Sequence, residues 1–128
     1  MIYLDTSVAL AHLLAEDRHP PSELWSEELV TSRLLEYEVW NRLHAAELGR
    51  SHGDAVRLLL ARLSWLELQP PVLERALRPF PVPVRTLDAL HLASVTFLRE
   101  HGKDVSVATY DQRMAAACRA MKLELVEL

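Results

Sequence analysis

Short apolar runs of strand type alternate with longer stretches of helical periodicity, and that alternation constrains the fold more than any other feature of the chain. Ile2-Tyr3-Leu4, Leu29-Val30-Thr31, Trp65-Leu66-Glu67-Leu68, Val105-Ser106-Val107-Ala108 and Leu123 to Val126 read as strands. Helical spacing occupies the intervals. One helix follows Asp5, with Thr6 or Ser7 as its cap, and a short one runs from Ser22 to Glu28. A long one spans Leu34 to Leu48 with Gly49 placed to end it, and another starts at Ser51-His52-Gly53-Asp54. The remaining helices are Val72 to Leu77, Thr86 to His101 and Asp111 to Met121. Pro81-Val82-Pro83-Val84 is extended but too proline-rich for a central strand. Strands separated by helices need crossover connections, so the expectation is an α/β fold. Its central, mainly parallel sheet has about five short strands, with helices on both faces.

The 128 residues, half of them hydrophobic, suffice for a single domain spanning 1–128 that buries its core without disulfides or structural metal. Cys118 is the only cysteine, so no internal disulfide can form and a reducing cytoplasm is the expected setting. Its neighbours Met114-Ala115-Ala116-Ala117 make it a packed thiol on a helix face. The opening residues carry Asp5 in place of a basic leader, and no apolar run approaches ~20 residues, so no membrane association is expected. A formal net charge of −4 argues against a protein that coats nucleic acid non-specifically. It leaves room for an enzyme gripping a few phosphates, and the basic residues are mostly arginine, with Lys103 and Lys122 the only lysines.

Acids fall where such a fold does its chemistry. Asp5 ends the first strand, Asp111 follows Val107-Ala108-Thr109-Tyr110, Asp88 lies at the start of a helix, and Glu38 lies in the first turns of the long helix. Singly, each has an ordinary structural role. Asp5 and Asp111 can cap helices for about 1 kcal/mol apiece, Asp88 can favour a helix dipole, and Glu38 can pair with Arg42 at i+4. Together they converge, because parallel strands point all their carboxyl ends to one side of the sheet. Clustered carboxylates repel, and a hard divalent ion relieves that repulsion while activating water beside a phosphoryl group.

The segments Ile2-Tyr3-Leu4-Asp5-Thr6-Ser7, Ser32-Arg33-Leu34 through Glu38-Val39, Arg85-Thr86-Leu87-Asp88-Ala89-Leu90-His91-Leu92-Ala93 and Ala108-Thr109-Tyr110-Asp111 resemble the PIN-domain ribonucleases. More narrowly they resemble the VapC toxins of bacterial toxin–antitoxin pairs. The resemblance implies a PIN-like fold and a metal-dependent endoribonuclease that uses Mg²⁺ or Mn²⁺. Asp5, Glu38, Asp88 and Asp111 fall on the family's four acidic positions, and Thr6 and Thr109 match hydroxyls near its metal site. It also implies RNA as substrate, a cognate antitoxin protein as partner, and a homodimer. Glu36 and Glu38 lie about 200° apart around their helix, so only one faces the site; the distance from Ser32 and the following Val39 favour Glu38. Met121-Lys122 stands where such proteins often carry a glycine before the last strand.

Other residues receive plainer readings. His91, three residues after Asp88, sits on an apolar face and is read as packing, since hard oxygen sites rarely use imidazole. Trp25, Trp40 and Trp65 are read as core or interface residues, and Arg85 and Arg42 as ion-pair partners or phosphate contacts. A phosphorylated receiver would need Asp54 at a strand end and adjacent acids after the first strand. Instead Ser51-His52-Gly53 starts a helix and Thr6 follows Asp5. A haloacid-dehalogenase-type phosphatase needs a second Asp where Ser7 stands. The remaining alternative is a catalytically inert PIN-like module that binds RNA or protein, for which four retained acids would have little use.

Overall fold

A computed structural model describes all 128 residues. Four short strands form one parallel sheet in the order β3-β2-β1-β4: β1 Ile2–Leu4, β2 Leu29–Ser32, β3 Ser64–Leu66 and β4 Ser106–Ala108. The helices are α1 Thr6–Leu13, α2 Leu34–Ala45, α3 Gly49–Leu60, α4 Pro70–Ala76, α5 Thr86–Glu100 and α6 Gln112–Ala120, with a 3-10 turn at Ser22–Ser26. The fifth expected strand, Leu123 to Val126, is reduced to one parallel bridge between Leu125 and Val107. The Val107 amide donates to the Glu124 carbonyl at 2.8 Å and the Val126 amide to the Val107 carbonyl at 2.9 Å.

The period-two alternation of the strands divides the core. Leu4, Leu29 and Ala108 face α1, α2 and α3, joining Val8, Leu35, Val39, Leu43 and Val56. Tyr3, Val30 and Val107 point the other way, into Leu92, Val95, Leu98, Met114 and Cys118 of α5 and α6. Both sheet faces are thus covered, which a parallel sheet requires. Trp25, Trp40 and Trp65 pack half-buried against the first cluster, and Cys118 is wholly buried in the second.

Two helix ends differ from expectation. The long helix stops at Ala45, Glu47 takes the left-handed conformation that closes it (φ 57°), and Gly49 opens α3. Neither Thr6 nor Ser7 caps α1: Asp5 occupies the N-cap position, and its side chain makes no capping bond.

The strand order places the chain reversal between β1 and β4. From β1 the chain winds one way to β2 and β3, then returns to lay β4 on the opposite edge. Open α/β sheets bind ligands at the carboxyl ends beside such a reversal. Asp5 leaves β1 and Thr109 leaves β4 at that point, and the Asp5 amide donates to the Ala108 carbonyl at 3.0 Å.

Candidate active site

Each of the four acids is held differently, and the differences follow from the elements that carry them. Asp5 is buried at the end of β1. Its Oδ2 accepts from the Ser7 hydroxyl at 2.6 Å and the Thr109 hydroxyl at 2.7 Å, which ties β1 to the end of β4. Its Oδ1 has no protein partner. Glu38 projects from the second turn of α2, and its Oε1 accepts from Thr6 Oγ1 at 2.8 Å and meets His91 Nε2 at 2.5 Å. Its Oε2 is likewise free. Asp111 caps α6, its Oδ1 accepting from the Arg113 and Met114 amides at 2.8 and 3.1 Å. Its Oδ2 and the Oδ2 of Asp88 share one guanidinium, that of Arg85, at 3.3 and 3.2 Å.

Asp5, Glu38 and Asp88 therefore each have one oxygen held and one left over, whereas both oxygens of Asp111 are engaged; no buried polar side-chain atom lacks a partner, so the free oxygens reach solvent. Donors fixed through one oxygen and open through the other suit a hard divalent ion, which takes carboxylate oxygens and completes its shell with water. The side chains are not drawn in around a common point: no three acidic, histidine or cysteine side chains are grouped as ligands of one ion. A cationic group already stands among them, since Arg85 bridges Asp88 and Asp111.

Electrostatics mark the same cluster. Burial pushes the Asp88 carboxyl above the usual carboxylate range; Arg85 draws it back down, and the charges of Asp111 and Asp5 add to the rise. Burial alone would also raise Glu38, but the hydrogen bond and charge of His91, with Thr6, outweigh it and hold that carboxyl below its ordinary value. For His91 burial acts to lower the imidazole, and Glu38 overrides it, so His91 lies above its ordinary value.

Thr6 and Thr109 both touch site carboxylates, Glu38 and Asp5 respectively. Glu36 turns away and faces Arg33 at 3.8 Å. The Glu38–Arg42 pair does not form; Arg42 is exposed without an ion-pair partner. Asp54 sits fully exposed on α3 beside Arg57. Ser7, His91 and Tyr3 were not singled out as site residues by sequence reasoning. His91 is buried as expected, yet both ring nitrogens have polar partners, Tyr3 at Nδ1 and Glu38 at Nε2. Its position three residues after Asp88, on the same helical face, was the available signal. Grooves flank the acids: one of about 470 Å³ runs from Ser7 and Asp111 past Tyr110 to Arg18 and Arg42, and one of about 370 Å³ is bounded by Arg85, Asp88 and Arg113. A concavity of about 700 Å³ between α4 and α5 is mostly apolar and holds no carboxylate.

These features define an α/β protein with acids lining a crevice at the carboxyl end of its parallel sheet. The family model described as PIN domain matches residues 2–120. Ribonuclease VapC46 of Mycobacterium tuberculosis is 35% identical, over 98% of this chain and 95% of its own length. Ribonuclease VapC47 of the same species is 31% identical, over 93% and 90%. Among solved structures, a toxin–antitoxin complex from Klebsiella pneumoniae superposes with a TM-score of 0.70 at 16% identity, covering 99% of this chain and 97% of that one. The sarcin-ricin loop cleaving toxin VapC20 of M. tuberculosis gives 0.66 at 23%, covering 91% and 95%. The chain belongs to the PIN-domain family and, within it, to the VapC ribonucleases.

Proposed function

We propose that this chain, acting as one domain, is an endoribonuclease that hydrolyses RNA phosphodiesters with Mg²⁺ or Mn²⁺. It would serve as the toxin of a type II toxin–antitoxin pair, held in check by a cognate antitoxin protein and working as a homodimer. The observation that carries the catalytic reading is the convergence of Asp5, Glu38, Asp88 and Asp111, from four elements, on the carboxyl end of a parallel sheet, three of them with an unpartnered oxygen. Substrate, partner and dimer rest on kinship with the VapC ribonucleases. No helix is long and apolar enough to cross a membrane, which fits action on RNA in the cytoplasm.

Asp5, Glu38, Asp88 and Asp111 would hold the ion. When bound, it supplies positive charge for the phosphoryl oxygens and lowers the pKa of a coordinated water. Ser7 and Thr109 fix the Asp5 carboxylate through Oδ2, and Thr6 and His91 fix that of Glu38 through Oε1. Arg85 is exposed and held only by two carboxylates, so it can swing to a substrate phosphate when a cation takes its place. Attack by water with departure of the 3′ oxygen leaves a 5′-phosphate and a 3′-hydroxyl, with no role for the ribose 2′-hydroxyl. Arg18 and Arg42 on one side and Arg113 on the other are placed to meet flanking phosphates.

The test is cleavage of a mixed small-RNA pool by antitoxin-free protein in Mg²⁺, Mn²⁺ or EDTA, beside Asp88→Asn. Cutting that vanishes in EDTA and in the variant supports the reading; equal cutting by the variant would sink the site assignment. The inert-module alternative draws on Arg85, which already neutralises Asp88 and Asp111. Folded protein that neither cuts nor binds Mn²⁺ would select it.

A further inference from the structure

A polar chain crosses the interior beneath the site. The Ser32 amide donates to the Tyr3 hydroxyl at 3.2 Å, and that hydroxyl meets His91 Nδ1 at 2.7 Å. His91 Nε2 then meets Glu38 Oε1, to which Thr6 also donates. Tyr3 is 1% exposed and His91 2%, so neither side chain can exchange these partners for water. The directions are set by what each atom can give. Tyr3 accepts from Ser32 and has its own proton for Nδ1, which leaves the imidazole proton on Nε2, facing a carboxylate that can only accept. With a second proton on Nδ1 the Nε2–H still donates to Glu38. In either form Oε1 carries two donors and Oε2 none.

We propose that His91 is a positioning residue for Glu38: anchored by Tyr3 at Nδ1, it fixes Glu38 Oε1 through Nε2–H and so presents Oε2 to the divalent ion. This rests on the reading of Glu38 as a metal ligand. A helix surface glutamate has three rotatable bonds, and Thr6 alone, with one freely rotating hydroxyl, does not fix them. A rigid ring held at both nitrogens does. Partners of this kind, one bond removed from a metal, typically change affinity about 10- to 100-fold when lost. The ring also joins three elements, since Tyr3 lies on β1, His91 on α5 and Glu38 on α2.

The chemistry suggests a test that separates positioning from packing. Gln places its amide nitrogen where Nε2 stands, whereas Asn places its polar atoms at the Nδ1 position. Mn²⁺ affinity, read from the free-ion electron spin resonance signal with no RNA present, should stay within about 3-fold of wild type in His91→Gln and weaken about 10-fold or more in His91→Asn. Equal weakening in both folded variants would make His91 merely structural, and wild-type affinity in His91→Asn would overturn the proposal outright. If His91→Asn does not fold, Tyr3→Phe decides: weakened Mn²⁺ binding supports the anchored ring, and unchanged binding removes it. Glu38→Gln is the control for the underlying reading. If it binds Mn²⁺ like wild type, Glu38 is no ligand and the proposal falls with that reading; if it weakens binding while His91→Asn does not, only the role of His91 fails.

Discussion

Two glutamates two residues apart on one helix have opposite fates. Glu36 is drawn to Arg33, whereas Glu38 is turned inward by Thr6 and His91. Removing the Glu38 charge as Glu38→Gln is expected to lower kcat/KM for RNA cleavage about 10²-fold or more, and Glu36→Gln to leave it near wild type; the reverse pattern would transfer the role to Glu36. Cys118 carries a prediction of another kind. Burial, with a contribution from the Asp5 charge, pushes its thiol up to about 12 from an ordinary 9.0. Above pH 9 the unfolded chain gives up this proton while the native chain keeps it. The native state therefore binds more protons, and its stability falls as pH rises, by about 1.4 kcal/mol per unit from this group up to about pH 12. Urea unfolding should show the stability gap between wild type and Cys118→Ala narrowing between pH 9 and 10.5. A constant gap would mean the thiol is not shielded. The sequence made Cys118 legible, because a thiol among alanines on a helix face packs. His91 was legible only in part: an apolar face announces burial, but its polar partners come from β1 and α2, which no local pattern reveals.

At the scale of elements, two acids that look alike in sequence diverge. Both Asp5 and Asp111 directly precede helices, yet only Asp111 uses an oxygen to cap, because Ser7 and Thr109 claim Asp5 first. Asp111 thus has a structural role and a proposed chemical one, and substitutions separate them. Asn caps nearly as well as Asp, so Asp111→Asn should hold stability within about 0.5 kcal/mol while cleavage falls; Asp111→Ala should lose about 1 kcal/mol besides. Denaturant unfolding beside cleavage rates checks this, and full activity in a destabilised Asp111→Ala would reduce Asp111 to a cap. The strands and helices themselves were largely readable from apolar periodicity. The ends were not, for a physical reason. Glu47 and Lys122 take left-handed conformations, with φ of 57° and 58°, that glycine usually supplies. Tertiary packing imposes those turns on ordinary side chains, so Gly49 misleads as a stop signal. Lys122 still closes the turn after α6, its amide donating to the Arg119 carbonyl at 3.1 Å.

Across the whole molecule, the fold gathers negative charge at one end of a sheet in a chain that is already acidic. Convergence was foreseeable once the sheet was taken as parallel, and so was an ion pair for Arg85; that it bridges both Asp88 and Asp111 was not, because this depends on side-chain reach between α5 and α6. Burial, with the charges of Asp111 and Asp5 adding to it, raises the Asp88 carboxyl, so a negative charge there disfavours the folded state. An ion that binds the native site and not the unfolded chain offsets this by mass action, about 2.7 kcal/mol at a hundred times its dissociation constant. For a chain of this size that corresponds to a rise in melting temperature on the order of 10 °C. Calorimetry should therefore show Mn²⁺ raising the melting temperature of wild type relative to EDTA. Asp88→Asn should behave oppositely on two counts. In EDTA it should melt above wild type, because a neutral amide takes the place of a charge the site disfavours, and the exposed Arg85 pair it loses is worth little. In Mn²⁺ it should gain little or nothing. Asp54→Asn, on the exposed surface of α3, should keep the full wild-type response. A variant that melts below wild type in EDTA would mean the Arg85 bridge, and not the cost of a charge half-buried among other acids, governs the metal-free site.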